Sequence, residues 1–164
     1  MHVRLTGGAV ALALLASTAA WAQTMPSADD AQFVMKASVG NTFEVEEAKV
    51  ALERATDQRL KDFAQRMVND HSDAMNKLMD SAGKAGQKSE MMLDAPHQAM
   101  VDNLKTYNGA EFDKVYTADQ VAAHAETVAL LSDYNQNGQN SDLKSWAKKT
   151  LPVVKDHQAT INAM

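Results

Sequence analysis

The same ionisable pair appears twice in this chain, as Asp70-His71 and Asp156-His157. A carboxylate beside an imidazole can serve acid–base chemistry, and the imidazole can also bind a metal ion. Neighbouring residues on a helix, however, point about 100° apart. If both pairs lie on helices, each His faces the core and each Asp faces its flank. The two carboxylates are then predicted as hydrogen-bond acceptors for an imidazole or as ion-pair partners near the surface.

A third His and two further acids follow the same helical periodicity. A polar line at steps of three and four runs through Asp113, Tyr116, Gln120 and His124, and Glu44 and Glu47 flank apolar positions upstream. Three imidazoles and a carboxylate at mid-helix depth form a set that suits zinc, iron, manganese or copper. We predict a site for a single metal ion whose ligands are Glu44, His71, His124 and His157, surrounded by Asp70, Asp113, Tyr116 and Asp156.

Other interpretations of the same residues stay open. The His residues could be structural, hydrogen-bonded to fix the register of a helical core, or could act in acid–base catalysis or as a pH-responsive group. A classical di-iron bundle carries Glu three residues before each His of this kind, but Val68 and Val154 stand there. No catalytic residue and no organic cofactor site is therefore predicted, and enzymatic activity is left open.

The elements that must position these residues are helices. Gly and Pro are sparse, and apolar residues recur at three-four spacing over four long segments. The predicted helices cover residues 28–55, 58–82, 110–135 and 142–164, with Thr56 or Asp57 capping the second helix and Ser141 the fourth. The connection between the second and third helices spans about 27 residues and holds a short helix that begins at Pro96.

Four amphipathic helices with one long middle connection predict an all-α, ferritin-like four-helix bundle with one crossover. The two hairpins also resemble each other, because "LKDFA" (60–64) precedes the first Asp-His pair and "LKSWA" (143–147) precedes the second. A weak internal duplication of a helical hairpin explains this, although chance similarity between amphipathic helices is an alternative.

The N-terminus has the layout of a secretory signal peptide. A twelve-residue apolar run, "AVALALLASTAA", follows Arg4 and precedes the small-x-small sequence Ala20-Trp21-Ala22. We expect cleavage after Ala22, which leaves residues 23–164 as one domain without a membrane-spanning segment, in the periplasm or secreted.

Composition narrows the range of partners and of site chemistry. The formal charge of −5 without a basic cluster argues against nucleic acid as a partner, and the chain has no cysteine for a disulfide or thiolate site. The methionines are dispersed at helical positions, as core residues are, although thioethers could also bind Cu(I). No protein partner can be named from the sequence.

Two segments, "FAQRMVNDH" (63–71) and "LPVVKDH" (151–157), are similar to segments of the bacterial family catalogued as domain of unknown function 4142. The resemblance covers about residues 30–163. It implies a ferritin-like helical bundle that is exported or lipid-anchored, and the soluble form is implied here because the leader has no lipobox cysteine. By position it places the characteristic polar residues at Glu44, Asp70, His71, Asp113, Tyr116, His124 and His157.

The combined expectation is an exported helical-bundle protein with a central His/Glu cluster that binds a single transition metal ion. The alternative is a structural or partner-binding envelope or stress protein, in which the same cluster only locks the core of the bundle. The resemblance does not choose between them, because the family has no agreed activity.

Overall fold

The computed structural model describes residues 28–164, which form five helices. They are α1 (Ala28–Arg54), α2 (Gln58–Lys84), α3 (Ala95–Leu104), α4 (Gly109–Asn137) and α5 (Ser141–Ile161). The predicted signal peptide lies outside the described residues. Within the described range, no helix is long and apolar enough to cross a membrane.

Side-chain caps fix where three of the helices begin. Asp57 accepts from the backbone N–H of Arg59 at the start of α2, and Asp94 accepts from that of His97 at the start of α3. The predicted cap of the last helix, Ser141, is wrong by one residue. Asn140 is the cap instead, because its side chain accepts from two backbone N–H groups of the first turn.

The four long helices form a bundle with a single crossover, as predicted. α1 pairs with α2 and α4 with α5, and the hairpins meet through α1 against α4 and α2 against α5. Arg54, at the end of α1, donates to Lys105 O at 2.5 Å, just before α4 begins. The segment from Ala85 to Asn108 therefore returns along the bundle, and its helix α3 packs mainly on α1.

The buried apolar residues form two clusters rather than one. One contains Phe63, Met67 and Phe112, near the end where α2 and α4 begin. The other contains Leu78, Leu131 and Trp146, near the opposite end. Where one cluster gives way to the other along each long helix, buried polar residues occur: Asn41 and the adjacent Glu44 on α1, His71 on α2, His124 on α4 and His157 on α5. A polar layer thus interrupts the core halfway along the bundle.

Candidate metal centre

The three predicted imidazoles meet in this central layer. Their ring centroids lie 5.3–5.9 Å apart, and each side chain is at most 2% exposed. The fourth predicted residue, Glu44, is fully buried and has a carboxylate oxygen 3.0 Å from His71 Nδ1. The structure therefore brings together Glu44, His71, His124 and His157.

His71 is oriented by two oxygen atoms of α1. Its Nδ1 lies 3.0 Å from Asn41 Oδ1, which is aligned for a hydrogen bond, and 3.0 Å from Glu44 Oε2. Both neighbours are acceptors, so the proton of the neutral ring is assigned to Nδ1. The lone pair is then on Nε2, which faces His157 Nδ1 at 3.3 Å.

His157 is oriented by the Asp of the other Asp-His pair. Its Nε2 lies 2.8 Å from Asp70 Oδ2, and so the ring donates from Nε2 and keeps its lone pair on Nδ1. Asp70 also accepts from Arg66 Nε at 3.2 Å, and Arg66 reaches Asp156 at 2.6 Å. Each Asp thus lies on the flank of its helix, as predicted, but only Asp70 contacts an imidazole.

His124 completes the set from α4. Its Nδ1 donates to Gln120 O at 2.7 Å, one turn back on the same helix. Its Nε2 is buried and has no hydrogen-bond partner among the described residues. A buried nitrogen without a hydrogen-bond partner destabilises the fold by about 1–3 kcal/mol unless a ligand binds it.

Ring nitrogens of the three His residues converge. One ring nitrogen from each His lies within 4.8 Å of the other two. In a tetrahedral site with metal–nitrogen bonds of roughly 2.0–2.1 Å, ligand nitrogens stand about 3.3 Å apart. The separation of 3.3 Å between His71 Nε2 and His157 Nδ1 matches that value, and with the assigned tautomers both nitrogens can donate their lone pairs to one cation.

Burial keeps two of these rings neutral. It lowers the pKa of His157 to about 4, although the hydrogen bond to Asp70 opposes the shift. It also lowers the pKa of His124, against the charge of Glu44. Neutral imidazoles are the form that binds metals.

Glu44 is the charged member of the layer. Burial raises the pKa of Glu44, but its interactions with His71 lower it by more, to below its usual range. Its Oε2 lies 3.0 Å from His71 Nδ1 and its Oε1 lies 3.7 Å from His124 Nδ1. A buried carboxylate is costly and calls for a nearby positive charge.

Asp113 does not belong to this layer, and its predicted place there is wrong. Its carboxylate accepts from the backbone N–H groups of Thr56 and Asp57 at 2.9 and 3.1 Å, at the junction of α1 and α2. It lies eleven residues before His124 on α4, which is about 16 Å along a helix. Periodicity gave the correct face of the helix but not the level along it.

Tyr116 and Gln120 are fully buried on the α4 face that carries His124. Gln120 Nε2 donates to Glu47 Oε2 at 3.0 Å. Sequence reasoning passed over Asn41 and left Glu47 outside the site. Their spacing was an available signal, because Asn41, Glu44 and Glu47 recur every three residues on α1.

The two positions at which a classical di-iron bundle carries Glu hold packed valines. Val154 is 1% exposed and packs in the apolar cluster near Trp146. Val68 packs against the other cluster. Neither position offers a carboxylate to the central layer.

A family model described as "Domain of unknown function (DUF4142)" matches residues 15–164. The chain belongs to this family. None of the curated proteins matches it. The DUF4142 assignment confirms the resemblance seen in the sequence and brings no activity with it.

Two solved structures show the same fold at low sequence identity. A DUF305 fragment from Deinococcus radiodurans is 15% identical, with a TM-score of 0.72 over 84% of this chain and 95% of that one. CopM in the Cu(II)-bound form is 16% identical, with a TM-score of 0.68 over 82% and 93%. Both likenesses support the predicted ferritin-like helical bundle.

A surface groove between α1, α4 and the crossover is separate from the metal centre. Met35, Met92 and His97 line it, but none of the three central His residues does. Met35, Met79, Met91, Met92 and Met100 are all exposed, whereas Met67 and Met75 are buried. The prediction that the methionines fill the core therefore holds for the last two only.

Proposed function

We propose that this DUF4142 protein binds one transition metal ion per chain through His71, His124 and His157. The observation that carries the proposal is the convergence of three buried ring nitrogens whose other nitrogens are held by fixed acceptors. Hydrogen bonds of that kind set the tautomer and orientation of metal-binding imidazoles. Three His with a fourth position free suit Zn²⁺ and Cu²⁺ best.

Glu44 has a different role in this proposal from the one predicted. It lies beside Nδ1 of His71, on the protonated side of the ring, and not beside the convergent lone pairs. We assign it as the buried counter-charge of the ion and an orienting neighbour of His71. Asp70 has the orienting role for His157.

The proposal is tested with metal-free protein prepared without a His-tag. Isothermal titration with Zn²⁺ and, separately, with Cu²⁺ should each show one equivalent bound. Cu²⁺ is included because imidazole suits it and because the related structure of CopM contains it. Replacing His71 or His157 by Ala should abolish that equivalent. His97→Ala is the matched control, because His97 lies at the surface groove and should not affect the titration.

The competing function is a structural or partner-binding envelope protein whose His cluster only locks the core. It predicts that His71→Ala lowers the thermal midpoint equally with and without Zn²⁺. Under metal binding, Zn²⁺ at about 100 times its dissociation constant raises the stability of the wild type by about 2.7 kcal/mol and leaves the variant unchanged. Substoichiometric metal that is indifferent to both His substitutions would contradict our proposal.

We also propose that the protein is exported and loses residues 1–22. The support is the apolar run at 9–20 followed by Ala20-Trp21-Ala22. Intact mass of the protein recovered from its native host should correspond to a chain that begins at Gln23. A mass that begins at Met1, with the protein in the cytoplasmic fraction, would contradict export.

A further inference from the structure

A second group of buried polar side chains continues from Glu44 along the contact between α1 and α4. These helices run antiparallel, so Glu47, one turn after Glu44, faces positions that precede His124. Those positions hold Gln120 and Tyr116, one and two turns earlier on α4. All four side chains from α1 and α4 in this group, namely Glu44, Glu47, Tyr116 and Gln120, are 0% exposed.

This group has far more oxygen atoms than hydrogen bonds. Within the group, Gln120 Nε2 donates to Glu47 Oε2 at 3.0 Å. Glu47 Oε1, Gln120 Oε1 and the Tyr116 hydroxyl have no hydrogen-bond partner among the described residues. The two oxygens of Glu44 lie 3.0 Å from His71 Nδ1 and 3.7 Å from His124 Nδ1 without an aligned hydrogen bond. Each such buried atom costs about 1–3 kcal/mol, so a purely structural role would leave a large penalty in one place.

The chemistry of the unpartnered atoms favours a cation over an anion or a neutral ligand. They are carboxylate and amide oxygens together with one phenol, and no free N–H donor points among them. A third carboxylate, that of half-buried Asp119, interacts with Glu47 and adds to the negative charge. Crowded carboxylates repel one another, and a divalent cation removes that repulsion.

We propose that Glu44, Glu47 and Gln120 form a second, oxygen-lined site for a hard divalent cation such as Mn²⁺. Carboxylate and carbonyl oxygens are the ligands that such ions prefer, whereas the three imidazoles suit softer ions. Glu44 lies between the two sites, because its oxygens are 3.0 Å from His71 Nδ1 and 3.7 Å from His124 Nδ1, and its charge also acts on Glu47, one turn further along α1. Asp119 gives the ion a negatively charged approach from the surface.

The second site does not depend on the first and is tested separately. Mn²⁺ is added to metal-free protein and to protein that holds one equivalent of Zn²⁺, and free Mn²⁺ is followed by electron paramagnetic resonance. We expect one bound Mn²⁺ in both preparations. Glu47→Gln, which keeps the shape of the side chain, should weaken Mn²⁺ binding by roughly tenfold or more and leave Zn²⁺ binding unchanged.

Glu46→Gln is the matched control, because Glu46 is the exposed neighbour of Glu47 and pairs with Lys49. It should leave Mn²⁺ binding within about twofold of the wild type. An equal loss of Mn²⁺ affinity in Glu47→Gln and Glu46→Gln would indicate that Mn²⁺ binds to surface acids and would overturn the proposal. Absence of Mn²⁺ binding in both wild-type preparations would also overturn it, whereas loss of Zn²⁺ binding alone would count against the His site only.

Discussion

At the scale of single residues, the repeated Asp-His pair has two different outcomes. Asp70 accepts a hydrogen bond from His157, the His of the other pair, while the Asp156 carboxylate pairs with the guanidinium of Arg66. The asymmetry arises because only one of the two flanking carboxylates faces an inward imidazole. The repeat therefore supplies a matched pair of acids for testing what an orienting carboxylate does.

We predict that Asp70→Asn weakens Zn²⁺ binding by roughly 10- to 100-fold. The carboxylate fixes the Nε2–H tautomer of His157, and its pKa is kept below the usual range, against burial, by the hydrogen bonds of His157 and Arg66. A neutral amide keeps the size of the side chain and loses the charge. Competition titration against a chelator of known affinity measures the change.

Asp156→Asn is the control for this prediction. It removes a carboxylate from the same ion-pair network, next to His157 in sequence, but leaves the imidazole contacts intact. Its Zn²⁺ affinity should match that of the wild type within about twofold. If the two variants weaken binding equally, the orienting role of Asp70 is wrong.

At the scale of helices, periodicity predicted more of the fold than of the site. The three-four spacing of apolar residues gave the four long helices, and the long middle connection gave the crossover. The same spacing predicted that His71, His124 and His157 point inward, because each lies on the periodic face of its helix. What it could not give is the relative level of residues on different helices, which depends on how the helices slide past one another in the folded bundle.

Asp113 shows this limit most clearly. It shares a helix face with His124, but it lies at the end of the bundle and accepts hydrogen bonds from Thr56 and Asp57. Asn41, which contacts His71 from another helix, shows that periodicity also misses residues that do belong to the site. Asn41 is identified only when α1 and α2 are seen side by side, because its distance from His71 in sequence is thirty residues.

We predict that Asp113→Ala destabilises the fold by about 1–3 kcal/mol without changing Zn²⁺ affinity. The carboxylate joins the turn between α1 and α2 to the first turns of α4, through two backbone N–H groups and the Thr56 hydroxyl. Urea unfolding measures the loss. Asp133→Ala is the control, since this exposed Asp on the same helix accepts from Asn137 one turn along its own helix and should change stability by less than about 0.5 kcal/mol.

At the scale of the whole molecule, the polar layer makes stability depend on pH in two opposite directions. Burial lowers the pKa of His157 to about 4 in the folded chain, whereas a solvated imidazole has a pKa of about 6.5. Below pH 6.5 the unfolded chain therefore binds the extra proton, and stability falls as the pH falls towards 4. His124, whose pKa is also lowered by burial, acts in the same direction.

Glu47 has the opposite effect. Burial first, and then the neighbouring carboxylates of Asp119 and Glu44, raise its pKa to about 8, although the hydrogen bond from Gln120 opposes the shift. The folded chain then holds a proton that the unfolded chain has lost above pH 4.5. Stability contributed by this proton is complete at low pH and is lost as the pH rises towards 8.

The two effects oppose each other between about pH 4.5 and 6.5, so metal-free protein should be most stable there and lose stability on both sides. Above pH 6.5 the Glu47 effect acts alone, and stability should fall by about 2 kcal/mol by pH 8.

Glu47→Gln cannot lose a proton, so its unfolding free energy should stay level across pH 6.5–8, while Glu46→Gln should follow the wild type. Urea unfolding of the three proteins at half-unit pH steps measures these curves. Parallel curves for the wild type and Glu47→Gln would show that Glu47 does not hold a proton in the folded bundle, and that the alkaline loss of stability has another origin.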